Sequence, residues 1–190
     1  EPMEDGTVSI VRAQAHVSYP ASFTLLAAVN PCPCGYLGHP KRECKCTPKQ
    51  IHKYRSRISG PILDRIDLHV HVPAVEVDKL TNNTHQLTSK IIRNRVIAAR
   101  NIQQARFSAE HIYTNSQMGN KLVKKYCSLT PEVTGILKAA VEKFDLSARS
   151  YFRLIKVART IAELENSENV LQKHLAEAFN YRLKENAGGI

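Results

Sequence analysis

The sequence lacks the features that place a protein in a membrane or outside the cell. No segment approaches the roughly 18 consecutive apolar residues of a membrane-spanning helix, and no signal peptide opens the chain. Low-complexity runs are also missing, while hydrophobic residues make up 43% of the 190 positions. Such a composition is typical of a folded protein with its own core. We therefore expect a cytoplasmic protein without a membrane partner. The absence of a methionine at position 1 favours a piece of a longer chain.

Acidic residues are scarce compared with basic ones. The chain has 17 Asp and Glu residues against 27 Lys and Arg residues, for a formal net charge of +10. An excess of this size favours a polyanionic partner, because neutralising phosphates releases counterions and drives association. The alternative is a basic soluble domain that has no such partner.

The first part of the sequence has β patterns. Residues 7–20 alternate between apolar and polar side chains on either side of a turn, which predicts a β-hairpin. Residues 22–29, SFTLLAAV, form a continuous apolar run that is typical of a buried strand in a parallel sheet. Residues 66–72, IDLHVHV, predict a second buried strand that Pro73 ends.

From about residue 85 onward the pattern is helical. Apolar residues recur at helical spacing in residues 91–107, and further helices are expected over Pro131–Phe144, Ser147–Glu165 and residues 170–184. Ser147 suits an N-cap, and Thr130 precedes a proline that suits the first helical turn. The sequence thus predicts an α/β part over residues 1–73 and a helical part over residues 74–190, joined near residues 73–88.

Four of the five cysteines lie within residues 32–46, in the stretch VNPCPCGYLGHPKRECKCTPKQ. The spacing is C-x-C, nine residues, then C-x-C, with glycines and prolines that allow tight turns. Four thiolates suit a tetrahedral Zn²⁺ ion, and a complete sulfur set leaves no open position for catalysis. We therefore predict a structural zinc site formed by Cys32, Cys34, Cys44 and Cys46.

Other interpretations of the cysteines remain open at this point. A disulfide pair fits poorly with a chain that lacks secretion signals, and four free thiols in one loop would be prone to oxidation. His39 could replace one sulfur, although an exposed loop histidine is the simpler interpretation. Cys127, far from the cluster, is expected to be a small apolar residue among helices.

A basic segment follows the cysteines. Residues 41–57 contain seven Lys or Arg residues against one acid, Glu43. Cations with an interleaved aromatic residue, here Tyr54, are typical of single-stranded nucleic-acid binding, although half-buried packing is the simpler interpretation of this tyrosine. The candidate nucleic-acid contacts in this segment are Lys49, Lys53, Arg55 and Arg57. The alternative is an ordinary solvated helix face.

Four separated blocks of the sequence together resemble the magnesium-chelatase-like AAA+ ATPases. In chain order they are EPMEDGTVSIVRA, FTLLAAVNPCPCGYLG, SGPILDRIDLHVHVP and LSARSYFRLIKVARTIAELE. The resemblance covers nearly the whole chain, and MCM helicases share its outline more distantly. It implies the C-terminal part of an AAA+ P-loop module, with a β-hairpin, sheet strands and a cysteine-rich insertion, followed by a helical lid bundle.

The resemblance also implies roles for individual residues. Asn30 matches the sensor-1 residue that places the attacking water against the γ-phosphate of ATP, as a carboxamide that can donate and accept at once. Arg65 matches the arginine finger offered to ATP on a neighbouring subunit, although pairing with Asp64 or Asp67 is a structural alternative. Arg149 matches the sensor-2 arginine of the lid, and Arg153, one turn later, is a second candidate for nucleotide binding.

The hairpin before sensor 1 is the remaining implied contact with DNA. In ring-shaped helicase relatives this hairpin points into a central channel, and Arg12 lies near its expected tip. A motor that moves along DNA contacts the backbone without reading bases. The resemblance therefore implies DNA as a sequence-independent partner and a homo-hexameric ring.

The chain departs from the family pattern at the nucleotide's main cradle. It contains no Gly-Lys dipeptide, hence no G-x-x-x-x-G-K-[ST] phosphate loop, and no apolar run that Asp-Glu closes to hold Mg²⁺. In relatives both elements precede the block EPMEDG. ATP and Mg²⁺ are therefore expected as cofactors of a longer protein, and this chain alone is expected to be inactive.

Three functions remain open from the sequence. The first is part of an ATP-driven DNA motor of the helicase or branch-migration type. The second is a metal-insertion motor like magnesium chelatase itself, which the basic segment and the cysteine loop disfavour. The third is a non-enzymatic zinc module that binds nucleic acid.

Overall fold

The computed structural model describes residues 2–12, 15–73 and 87–182. The chain divides into two compact units, Glu1–Ile66 and Asp67–Ile190. The predicted join at residues 73–88 lies almost wholly outside the described residues. Within the described part, no helix is both long and apolar enough to cross a bilayer.

The first unit begins with a short helix, α1 (Pro2–Asp5), and a β-hairpin of β1 (Thr7–Arg12) and β2 (Ala15–Pro20). The strands are antiparallel, with Val8 opposite Tyr19 and Arg12 opposite Ala15. The β-hairpin predicted from the alternating pattern of residues 7–20 is confirmed. Nearly all of its described side chains are exposed. Arg12, expected near the tip, is the last residue of β1, and residues 13 and 14 lie outside the described residues.

Two helices complete the elements of the first unit. Helix α2 (Pro48–Arg55) follows the cysteine-rich loop directly, and α3 (Gly60–Leu63) precedes Arg65. Helix α2 begins with a capping box, because the Thr47 hydroxyl accepts from the Gln50 amide at 3.3 Å and the Gln50 side chain accepts from the Thr47 amide at 2.8 Å. Pro48 at the first helical turn needs no amide partner.

The two predicted buried strands are wrong for this structure. Neither residues 22–29 nor residues 66–72 form a strand, and nearly all of their apolar side chains are exposed, with Leu26 at 96% and Val72 at 80%. A central strand must exchange hydrogen bonds with a neighbour along each edge. The described residues contain a single sheet, which has two strands, β1 and β2. Residues 22–29 and 66–72 therefore have the apolar pattern of buried strands, but no neighbouring strand in the described part of the chain pairs with them.

The second unit is helical. Its elements, in chain order, are α4 (Ser89–Arg106), a 3₁₀ turn (Asn115–Gln117), α5 (Asn120–Tyr126), α6 (Pro131–Phe144), α7 (Ala148–Leu164) and α8 (Gln172–Asn180). The predicted helices over Pro131–Phe144 and Ser147–Glu165 are confirmed almost to the residue. The structure therefore has the mixed α/β character expected, mostly helical with a small sheet.

Side-chain caps explain where three of these helices begin. The hydroxyls of Thr88, Thr130 and Ser147 each accept a hydrogen bond from the backbone amide three residues later. Each cap satisfies one of the amides that a first helical turn leaves unpaired, which contributes about 1 kcal/mol. Helix α6 ends at Asp145 in the left-handed conformation, with φ 48°.

Helix α7 lies at the centre of the core of this unit. Leu154, Ala158 and Ala162 on α7 are fully buried, as are Leu137 on α6 and Leu175 on α8. Burying each large apolar side chain contributes roughly 1.5–3 kcal/mol. The apolar stripe of α7 therefore holds the helices of the second unit together.

A buried carboxylate also joins these helices. Glu163 on α7 accepts hydrogen bonds from Arg159 Nε at 2.9 Å, Gln103 Nε2 at 2.8 Å and Asn115 Nδ2 at 2.8 Å, and it pairs with Arg106. A buried charge is tolerated only when it is paired and its lone pairs are occupied. Both oxygens of Glu163 meet this condition, so the carboxylate links α4, the 3₁₀ turn and α7.

Candidate metal centre and neighbouring site residues

The structure brings the four clustered cysteines together. The ligand atoms of Cys32, Cys34, Cys44 and Cys46 all lie within 4.8 Å of one another. Cys32 Sγ lies 3.4 Å from Cys34 Sγ and 3.6 Å from Cys44 Sγ, and Cys34 Sγ lies 3.6 Å from Cys44 Sγ. The four thiols therefore converge on one point, as the spacing in the sequence predicts.

These distances fit a tetrahedral metal ion and exclude disulfides. Zn–S bonds of about 2.3 Å place the sulfurs of an ideal tetrahedron about 3.8 Å apart, close to the separations found. A disulfide would bring two sulfurs to about 2.05 Å, and all the cysteines are free. The disulfide interpretation is therefore wrong for this structure, and the donor set suits a thiophilic metal ion.

Tight turns shape the loop around the sulfurs. Gly35 and Gly38 adopt φ values of 80° and 77°, which side chains other than glycine rarely tolerate. The Gly35 amide donates to the Cys32 carbonyl at 3.0 Å, and the His39 Nδ1 accepts from the amides of Lys41 and Arg42 at 3.1 Å. His39 thus orders the backbone of the loop, and the convergent donor set consists of the four sulfurs.

The thiols of the cluster differ strongly in pKa. The backbone N–H of Tyr36 is the main reason that the pKa of Cys34 falls to about 6. The backbone N–H of Cys46 also favours the Cys44 thiolate, but burial and the neighbouring cysteines outweigh it and raise the pKa of Cys44 to about 12. Several thiolates cannot crowd together without a cation, so a divalent metal would bind with release of protons.

Helix α2 is attached to the beginning of the loop by Arg55. The guanidinium donates from Nε and Nη2 to the carbonyl oxygen of Pro31, at 3.3 Å in each case. The side chain of Arg55 is half-buried, whereas Lys49, Lys53 and Arg57 are exposed. Tyr54 is also half-buried, which confirms packing as the simpler interpretation of that residue.

Asn30 lies at the entrance to the cysteine loop. Its side chain is exposed, and its Cγ would be 4.0 Å from a Cβ placed on Gly35. The candidate sensor-1 residue is thus next to the first turn of the loop, one residue from the carbonyl that Arg55 binds.

Arg65 is held by an acidic residue that the sequence did not suggest. Its Nη2 and Nε lie 2.9 and 3.1 Å from Glu4 Oε2, and its Nη1 donates to the Pro61 carbonyl at 2.7 Å. Glu4 is 61 positions away, and no local pattern connects the two residues. Both side chains are 26% exposed, so solvent screens the ion pair and it contributes about 1 kcal/mol at most.

Arg149 and Arg153 lie in the first two turns of α7, in the second unit. Arg149 is exposed in the first turn, where backbone amides favour an anion. Arg153 is largely buried and its Nε lies 3.3 Å from Asp67 Oδ1. Asp67, which the sequence suggested as a partner of Arg65, is thus a partner of Arg153.

Sequence reasoning also missed a polar pair on the surface of the loop. Arg42 Nη1 donates to the Tyr36 hydroxyl at 2.7 Å, and the guanidinium carbon lies 5.2 Å from the centre of the tyrosine ring. The aromatic residue that stands among cations is therefore Tyr36 as much as Tyr54. A count of charges alone could not reveal it, because the pairing depends on the fold of the loop.

Comparison with known proteins identifies relatives over both units. Residues 1–80 match the family model of magnesium chelatase, subunit ChlI, and residues 86–182 match that of magnesium chelatase, subunit ChlI C-terminal. Competence protein ComM of Haemophilus influenzae is 40% identical over 184 residues, and protein YifB of Escherichia coli is 37% identical over 184 residues. DNA replication licensing factor Mcm6 of Drosophila melanogaster is 25% identical over 198 residues.

The matches cover this chain far more completely than they cover the relatives. The alignments span 96% of this chain but only 35% of ComM or YifB, and 94% of this chain but 21% of Mcm6. The chain therefore spans about a third of the length of its bacterial relatives. Because family models match both residues 1–80 and residues 86–182, the chain belongs to the magnesium chelatase ChlI family.

Proposed function

We propose that this chain is part of a ring-forming AAA+ ATPase that acts on DNA, of the helicase or branch-migration type. The observation that carries this proposal is the match of 96% of the chain to a competence protein, together with a match to a DNA replication licensing factor. The net charge of +10 agrees with a nucleic-acid partner. A chelatase motor is less well supported, because the insertion between Asn30 and Arg65 carries cysteines and a basic flank.

In this proposal the chain supplies the residues that refine hydrolysis. Bound ATP and Mg²⁺ supply the reacting phosphoryl group and its counter-charge. The Asn30 carboxamide can donate to a phosphate oxygen while it accepts from the attacking water. The Arg65 guanidinium stabilises charge on the phosphoryl oxygens of a neighbouring subunit's nucleotide. Arg149 contacts phosphate from the helical lid, with the backbone amides at the start of α7 adding a favourable dipole. Arg153, one turn later and paired with Asp67, is the second candidate for this contact.

The residues present do not form a complete nucleotide site. The sequence has no phosphate loop and no Asp-Glu pair at the end of an apolar run. In this proposal the longer protein supplies the missing elements and forms a homo-hexameric ring. Only there do Asn30, Arg65 and Arg149 act on ATP.

The four-cysteine loop is proposed to hold one structural Zn²⁺ ion. The sulfurs of Cys32, Cys34 and Cys44 are 3.4–3.6 Å apart, and with the sulfur of Cys46 they complete the coordination of a tetrahedral ion. No position remains open for a reacting molecule, so the metal stabilises the insertion and takes no part in hydrolysis. Four exposed cations, three in the basic segment and one on the hairpin, are proposed to contact the DNA backbone; they are Lys49, Lys53, Arg57 and Arg12.

The test is DNA-stimulated ATP hydrolysis by the full-length protein, followed by unwinding of forked and branched DNA. We expect both activities. Hydrolysis without DNA stimulation or unwinding would favour the metal-insertion motor. DNA binding without hydrolysis would favour the non-enzymatic zinc module.

A further inference from the structure

Arg55 differs in its contacts from the exposed cations that surround it. Its side chain is half-buried, and two of its nitrogens donate to the same carbonyl oxygen, that of Pro31. Pro31 stands between Asn30 and the metal ligand Cys32. We infer that Arg55 is a positioning residue, which fixes the segment that carries Asn30 and closes the metal loop. This assignment replaces its expected contact with DNA, and its effect on hydrolysis rests on the proposed ATPase function.

The path of the chain supports this role. Cys46, the last of the four cysteines, is followed at once by Thr47, the N-cap of α2. Helix α2 then runs to Arg55, which returns to Pro31, beside Cys32. A metal ion held by the four sulfurs would join Cys32 to Cys46, and Arg55 joins the far end of α2 to the same place. The cysteine loop and α2 would thus be closed into a ring of chain by two links, the metal site and the Arg55 guanidinium.

Asn30 lies directly beside the point where Arg55 holds the loop. Arg55 holds the carbonyl of the next residue, and the Gly35 turn lies close enough that a Cβ there would be 4.0 Å from Asn30 Cγ. Gly35 is fixed in turn by its hydrogen bond to the Cys32 carbonyl at 3.0 Å. A displacement of about 1 Å in a residue that orients water can lower the rate about 100-fold. A clamp beside Asn30 is therefore a means of keeping its carboxamide in place.

Substitution by lysine separates positioning from charge. Arg55→Lys retains the positive charge that a phosphate contact needs, but it loses the planar group that donates twice to one acceptor. Lys53→Ala is the matched control, because Lys53 lies on the same helix, is exposed, and is proposed to contact DNA. Arg55→Ala removes both charge and clamp.

The direct experiment uses the 190-residue chain loaded with Zn²⁺. Zinc release to a chromogenic chelator and amide exchange in the peptide that covers residues 30–38 are measured for all variants, after helix content is matched by circular dichroism. We expect Arg55→Lys and Arg55→Ala to accelerate both processes roughly tenfold, as loss of a charge-assisted hydrogen bond implies, and Lys53→Ala to change neither. If Arg55→Lys behaves as the unsubstituted chain does, the positioning role is wrong.

A second experiment uses the full-length protein and distinguishes failure of this inference from failure of the proposed function. Arg55→Lys should lower kcat for ATP with little change in KM, and it should leave the salt dependence of DNA binding unchanged. If Arg55→Lys instead weakens the salt dependence of DNA binding and leaves kcat normal, Arg55 contacts DNA and the inference is wrong. If the unsubstituted protein hydrolyses no ATP, the proposed function fails, while amide exchange in the shorter chain still decides the role of Arg55.

Discussion

Gln103 on α4 donates a hydrogen bond to Glu163 on α7 at 2.8 Å, and both side chains are buried. The two residues are 60 positions apart, yet they join the first long helix of the second unit to its central one. Arg106 and Arg159 neutralise the same carboxylate. The orientation of α4 on α7 is therefore specified by polar contacts as well as by apolar packing.

Removal of this carboxylate should strongly destabilise the second unit. Glu163→Ala leaves Arg106 and Arg159 without their buried counter-charge, so we expect the free energy of unfolding to fall by about 3–5 kcal/mol. Urea denaturation followed by circular dichroism measures the change. Glu142→Ala, at an exposed acid on α6, is the control and should shift stability by less than about 0.5 kcal/mol. Equal stability of the two variants would contradict the role of the network.

The chain should bind one equivalent of zinc. Elemental analysis of the purified, untagged protein measures the stoichiometry. Cys34→Ser should reduce it well below one, because three remaining thiolates leave the tetrahedron incomplete. Cys127→Ser should keep the full equivalent, since Cys127 is buried in the helical core of the second unit and is not one of the four convergent cysteines. A preparation of the unsubstituted chain without stoichiometric metal would refute the site.

The rates of alkylation of Cys34 and Cys127 in the metal-free chain should follow the pKa values of these two thiols. Cys34, with its pKa lowered to about 6, is almost fully ionised at pH 8, whereas burial raises the pKa of Cys127 to about 11. The resulting difference in thiolate fraction, about 10³, is partly offset by the lower nucleophilicity of the more acidic thiolate. We expect iodoacetamide to modify Cys34 at least tenfold faster, as measured by mass spectrometry.

The pH dependence of Cys127 has a definite sign. Its pKa in the folded protein, about 11, exceeds the ordinary value of 9.0, so the folded state keeps the proton more tightly than the unfolded state does. Any stability that this linkage contributes is present below pH 9 and is lost as pH rises towards 11. Alkylation of Cys127 should accordingly rise between pH 9 and 11. Modification of Cys127 as fast as Cys34 at pH 8 would show that the thiol is not protected.

Arg65 should be essential for hydrolysis and dispensable for nucleotide binding. In the full-length protein Arg65→Ala is expected to lower kcat by about 10³-fold or more, because an arginine finger acts on the transition state. Arg65→Lys should not restore activity, since a point charge does not reproduce the guanidinium fork. Arg93→Ala, at an exposed position on α4, is the control. The 190-residue chain alone should show no turnover above background, and measurable hydrolysis by it would overturn the assignment of an incomplete site.

DNA binding should be independent of sequence and steeply dependent on salt. Replacing Lys49, Lys53 and Arg57 together by alanine should reduce the slope of log K against log salt by roughly 0.7–0.9 for each phosphate that is no longer neutralised. The control replaces three exposed lysines of the second unit, Lys121, Lys124 and Lys138, which changes the net charge equally. Fluorescence anisotropy on unrelated single-stranded oligonucleotides measures both variants. Identical slopes would show that the segment is an ordinary solvated surface.

Local signals predict the parts of this fold that local chemistry determines. Thr130 and Ser147 mark helix starts because a hydroxyl cap acts within three residues, and the paired C-x-C spacing marks the convergent thiols. The apolar run at residues 22–29 has the pattern of a buried strand and forms none, because strand formation depends on neighbours that a single segment does not encode.

Contacts between distant residues escape prediction for the same physical reason. Glu4 with Arg65, and Gln103 with Glu163, are pairs that only the folded backbone brings together. By sequence alone the cation at position 55 groups with the exposed lysines nearby, and only its distance to Pro31 reveals a different role. Composition thus indicates which charges exist, while the structure shows which of them are already engaged within the protein.

The length of α2 has a consequence for how its cations are displayed. Helix α2 has eight residues, fewer than the roughly 12 that an isolated helix needs for marginal stability in water. Its order must therefore come from attachments at its two ends. Crosslinking a loop of about 15 residues removes roughly 3 kcal/mol of chain entropy from the unfolded ensemble, and a metal ion between Cys32 and Cys46 closes a loop of this size. Zinc would thereby set how rigidly the chain presents its positive charge. With zinc bound, the cations of α2 form a fixed array on a helix. Without zinc, the same cations lie on a flexible segment, which loses conformational entropy each time it binds a DNA strand.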